Sequence, residues 1–145
     1  AAERVTLSAL HLAVVFFAVA GLIVVIRPDW FIEPFSKGMD PIMYQMVNPL
    51  VKKLMQFVAV FCLFKSISLM IAGALKGAGD TRFVAWTEIS SMWLVLILPT
   101  ALLVYFRGGD LLWSWGFFVL SSLIICLLHW LRFRAAKWKA LRVTI

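Results

Sequence analysis

Four long apolar stretches decide most of what this chain can fold into: Val5 to Ile26, Leu54 to Leu75, Val84 to Phe106 and Leu111 to Leu131. The first and last carry no formal charge, the second holds only Lys65 and the third only Glu88. About 20 apolar residues in a helix cross the hydrocarbon core of a bilayer, whereas a spanning strand is about half as long. In lipid a helix also satisfies its own backbone hydrogen bonds. The expected fold is therefore all-α, with four transmembrane helices at about 5–26, 54–75, 84–106 and 111–131. Composition agrees: 63% of residues are hydrophobic and 14% charged, against about 45–50% and about 25% in soluble domains. That excludes an ordinary soluble enzyme and a disordered chain.

The connections differ in length. Residues 27–53 hold Pro28, Pro34, Pro41 and Pro49, so no continuous helix is expected through them. Trp30, Phe31 and Phe35 among the charges there suit an interfacial or partly re-entrant segment. The other two connections, Lys76 to Arg82 and Arg107 to Asp110, are short and make neighbouring helices antiparallel. The chain carries a net charge of +7, concentrated in loops and tail, which points to the membrane surface rather than to nucleic acid. Arg4, Lys76, Arg82, Arg132, Arg134, Lys137, Lys139 and Arg142 fall on one side, against Arg27, Lys37, Lys52, Lys53 and Arg107 on the other. Cytoplasmic loops are richer in Lys and Arg, so both termini of this segment are expected on the cytoplasmic side. The basic tail 132–145, with Trp138, suits a short surface helix.

Lys65 is the most informative residue. An ionised lysine at the bilayer centre costs about 2.5–3.5 kcal/mol and by default faces a bundle interior or a water-filled cavity. Glu88 is its obvious partner, yet depth argues against contact. At about 1.5 Å per residue, Lys65 lies about 15 Å from the end of its run and Glu88 only about 6 Å from the same side. Pro99, inside the third run, is expected to kink a helix that lines a cavity. Cys62 and Cys126 read as packing residues. His11 and His129 lack clustered ligands for a metal and read as interfacial or packing groups. Ser90, Ser91, Ser121 and Ser122 read as hydrogen-bonding groups between helices. No nucleophile, base and acid arrangement is suggested, so no enzyme activity, catalytic residue, metal or cofactor is expected.

The densest motif is the stretch Gly73-Ala-Leu-Lys-Gly-Ala-Gly-Asp-Thr-Arg82. Gly73 and Gly77 have the G-x-x-x-G spacing of close helix approach. Gly77 and Gly79 suit positive φ at a helix end. Asp80 or Thr81 suits the cap of the next helix. With Phe83, this stretch resembles the G-x-L-R-G-x-G-D-T-R signature of multidrug and toxic compound extrusion (MATE) transporters, Lys76 replacing the usual Arg. Leu63-Phe-Lys-Ser66, Met92-Trp-Leu94 and Arg132-Phe-Arg-x-x-Lys-Trp138 are similar to that family as well.

The resemblance implies a twelve-helix, two-lobed transporter of which this chain supplies the last four helices, residues 1–145 forming its C-terminal transmembrane part. The opening Ala1-Ala2-Glu3-Arg4 also fits a piece of a longer chain, one not expected to transport alone. The implied function is multidrug efflux by cation-coupled antiport, with sodium or protons as the coupling ion, working by alternating access at the cell inner membrane. The implied partners are the lipid bilayer, the remaining helices of the parent and amphipathic or cationic small molecules. Lys65, Glu88 and Pro99 become transport or cavity candidates, and Gly73, Gly77, Gly79, Asp80, Thr81 and Arg82 the signature turn. The alternatives are a lipid-linked saccharide flippase of the same superfamily and a stand-alone four-helix membrane partner subunit.

Overall fold

The computed structural model describes residues 2–135. Five helices make up this part. α1 spans Ala2–Ile26, α2 Asp29–Ser36, α3 Pro41–Gly77, α4 Thr81–Arg107 and α5 Leu111–Arg134. Four of them, all but α2, are long and apolar enough to cross a membrane. α3 is the central element: α1 packs along one flank and α5 along another, and α4 packs against α3 and α5. Below, the turn end means the end carrying the α3–α4 connection, and the far end the one carrying the α4–α5 connection.

Two expectations change here. The second helix begins at Pro41 rather than at residue 54 and runs straight through Pro49. Its start is well specified. Asp40 caps it, its Oδ1 accepting from the Ile42 N–H at 2.8 Å, and Pro41 takes the first turn, where a missing N–H costs nothing. Pro49 removes one hydrogen bond, which a long helix packed against neighbours tolerates. At 37 residues, α3 is about 55 Å long by the α-helical rise, more than one hydrocarbon core requires. The second change is at the C-terminus. α5 continues through Arg132 to Arg134, so the first residues of the expected tail extend the spanning helix; 136–145, with Trp138, lie outside the described residues.

The 27–53 connection is partly helical. α2 exposes Trp30 and Phe35, Arg27 lies over the Trp30 ring at 5.8 Å, and Lys52 on α3 pairs with Asp29 at 2.8 Å. This ion pair ties the short helix to the long one.

The main buried apolar cluster lies at the turn end, with Ile32 of α2 and Ile125 of α5 buried apart from it. Ile71, Ala72 and Leu75 of α3, Val84 of α4 and Phe133 of α5 form one buried cluster. The close approach expected at Gly73 and Gly77 is not made within this bundle: a Cβ at either would meet nothing within 4 Å. The small-residue contact lies elsewhere, where a Cβ at Gly21 of α1 would sit 3.5 Å from Ala59 Cβ of α3.

Candidate functional site: a buried polar seam and a charge-lined cavity

The turn between α3 and α4 is fixed by its backbone. Gly79 has φ +89°, its N–H donates to Lys76 O, and the Asp80 N–H reaches back to Leu75 O at 2.9 Å. This nested pair of bonds is a Schellman motif, which needs a left-handed residue at the position of Gly79. Gly77, by contrast, is the last helical residue and does not take positive φ. Asp80 stands at the N-cap of α4 but makes no side-chain capping bond. Its buried carboxylate is used instead across the bundle, where Oδ2 accepts from Arg132 Nε at 2.7 Å. The same guanidinium lies 4.8 Å from the centre of the Phe83 ring. Thr81 and Arg82 are exposed.

One turn inward along α5, His129 is fully buried. Its Nδ1 is 2.9 Å from Ser68 Oγ of α3, and its Nε2 is 3.0 Å from Thr87 Oγ1 of α4. The Thr87 hydroxyl also lies 3.0 and 2.9 Å from Phe83 O and Val84 O of its own helix. Both ring nitrogens thus have a hydroxyl partner, as a buried polar group must.

Two turns farther along α5, the seam opens. A cavity of about 220 Å³ is lined by Phe61 and Lys65 of α3, Glu88, Met92 and Leu96 of α4, and Ser121, Ser122 and Ile125 of α5, among others. Lys65 Nζ and Glu88 Oε1 are 3.9 Å apart, with 39% and 36% of the side chains exposed. This pairing corrects the depth argument. α4 starts at Thr81, three residues before the apolar run begins, which sets Glu88 almost a turn deeper. α3, however, ends only at Gly77, which sets Lys65 two residues deeper as well, so most of the offset remains and the two long side chains bridge it. The separation is loose, so the two charges attract without forming a tight hydrogen-bonded pair.

Beside the cavity, α4 is π-helical over Met92–Ile97, immediately before Pro99. The irregularity expected at Pro99 is this widened segment, in which the Leu98 N–H reaches Trp93 O; π-segments of this kind often mark functional positions. Leu96 and Phe118 line both this cavity and a second, separate one of about 230 Å³ nearer the far end. The second cavity is also lined by Thr100, Ser114 and Trp115. Thr100 Oγ1 is buried without a hydrogen-bond partner among the described residues.

Sequence reasoning thus reached Lys65, Glu88 and the signature turn, but missed what joins them. Of the serines expected to link helices, Ser122 bonds Val119 O in its own helix, while the hydroxyls that do link helices belong to Ser68 and Thr87. Within their own helices these residues stand beside the expected ones: Ser68 is one turn after Lys65, Thr87 precedes Glu88, and His129 shares the helical face of Ser121, Ser122 and Ile125. His11 is exposed and bonds only Leu7 O of its own helix.

Four helices long and apolar enough to cross a membrane, around a partly exposed charge pair, point to an integral membrane protein. A family model described as MatE matches residues 1–102, and the chain belongs to that family, the MATE transporters. No curated protein and no solved structure matches the chain.

Proposed function

We propose that this chain is the C-terminal transmembrane part of a cation-coupled multidrug efflux antiporter, with sodium or protons as the coupling ion. It sits in the plasma membrane as the last four spans of a twelve-helix transporter, both termini of the segment cytoplasmic. The observation that carries this reading is the Lys65–Glu88 pair, 3.9 Å apart on the wall of a cavity within the spans. Ionisable groups at such depth are costly and mark substrate or ion pathways. Aromatic Phe61 and Phe118, stacked at 4.3 Å, border the same cavity and suit an amphipathic, flat compound. Alternating access would expose this cavity to each side in turn.

The test is reconstitution of the natural gene product in liposomes with ethidium as probe, under an imposed proton or sodium gradient. Gradient-driven ethidium movement that Lys65→Ala abolishes is the expected result. Ethidium movement that neither gradient drives, or that Lys65→Ala leaves unchanged, would overturn the reading. Movement of a lipid-linked saccharide instead would favour the flippase.

A further inference from the structure

His129 is the one side chain of α5 that hydrogen-bonds both α3 and α4 among the described residues. Its two partners flank the charge pair. Ser68 lies one turn from Lys65 toward the turn, and Thr87 is next to Glu88. The ring therefore sits between the charge-lined cavity and the apolar cluster of Ile71, Leu75 and Val84. Beyond that cluster lies the Asp80–Arg132 pair, where 25% of the Arg132 side chain is exposed. The Asp80–Arg132 layer and the cavity are both partly exposed; the buried layer between them is pinned by His129.

We propose that His129 is a positioning residue: by tying Ser68 and Thr87 together it holds α3 and α4 closed against α5 and seals the Lys65–Glu88 cavity on the turn side. The physical argument concerns directionality. Apolar contacts alone let helices slide, because lipid is as apolar as a leucine side chain. A ring with two fixed nitrogens, each matched to one hydroxyl, accepts a single register of three helices. When either bond is lost, the layer retains its apolar bulk but loses that register. The inference deepens the transport reading, in which such a cavity must close to one side, yet its test measures water access and not transport, so the two fail separately.

The experiment uses the natural gene product with Cys62, Cys126 and every other cysteine replaced by alanine, and with Ser121→Cys as a reporter on the cavity wall. A membrane-impermeant methanethiosulfonate reagent is applied to one membrane face at a time. His129→Asn keeps the Ser68 bond and loses the Thr87 bond; Thr87→Val loses the same bond with the ring intact; Ser68→Ala loses the other. Each is expected to raise labelling from the turn side about tenfold, the change in an opening equilibrium that corresponds to about 1.4 kcal/mol, and to leave labelling from the far side unchanged. His129→Asn combined with Thr87→Val is expected to label no faster than either alone, since both remove one bond. Thr87→Val decides the question if His129→Asn fails to accumulate. Unchanged labelling in these variants, an equal rise from both faces, or effects that multiply in the double variant would overturn the assignment.

Discussion

The two ends of this bundle are built by different rules. At the turn end, three helices meet in alternating layers of charge, apolar side chains and a doubly bonded histidine, and nearly every polar group there has a partner. At the far end, Leu102, Val104, Tyr105 and Phe106 of α4 face outward, and the buried Thr100 hydroxyl has no partner among the described residues. The π-segment and Pro99 lie between the two. The contrast shows where this chain spends its specificity. One end is fixed in a single arrangement, while the other presents apolar surface and an irregular helix, the features that leave room for movement.

The largest expected effect breaks the turn end at its surface. Arg132→Ala leaves the Asp80 carboxylate buried and unpaired, and should cost about 2–3 kcal/mol, below the about 3–5 of a fully buried pair because Arg132 is partly exposed. Thermal unfolding of the purified protein checks it, and Arg132→Lys should recover only part of the loss, since a lysine keeps the charge but not the Nε bond or the flat contact on Phe83.

Next comes one substitution made at both ends. Thr87→Val removes a hydroxyl that holds His129, and should destabilise by about 1–2 kcal/mol. Thr100→Val removes a hydroxyl that bonds nothing among the described residues, and should be neutral or stabilising, because an apolar group of the same shape relieves an unsatisfied polar atom. Equal effects of the two in a melting series would erase the distinction between the ends.

The smallest effects concern glycines of the signature turn. Gly79→Ala forces a left-handed residue to carry a Cβ, at about 1 kcal/mol. Gly73→Ala and Gly77→Ala, in open space on helix α3, should gain up to about 1 kcal/mol of helix propensity in this bundle. A loss at Gly73 in the natural gene product would instead locate another helix against that face, as its G-x-x-x-G spacing suggests.

Much of the turn end was legible in the sequence, and little of what closes it. The spans follow from four apolar runs with at most one charge each, and the Gly79–Asp80 turn follows from residue types that each have one structural use. Residues 41–53 of α3 were not anticipated because a proline read locally ends a helix, although Asp40 followed by Pro41 is a helix start in its own right. The His129 seam was invisible for another reason. Ser68 and His129 are 61 residues apart, and three common residue types carry no mark of mutual contact until helices α3, α4 and α5 are brought together. Arg132 was counted as a tail charge for the same reason: its partner lies 52 residues away.

The central claim is that the Lys65–Glu88 cavity is closed toward the turn. It is tested most directly by the sidedness of a single reporter, Ser121→Cys, in the natural gene product with Cys62, Cys126 and every other cysteine replaced by alanine. Labelling by an impermeant thiol reagent is expected from the far side and to be slow or undetectable from the turn side. Equal labelling from both faces, or labelling confined to the turn side, would contradict the account.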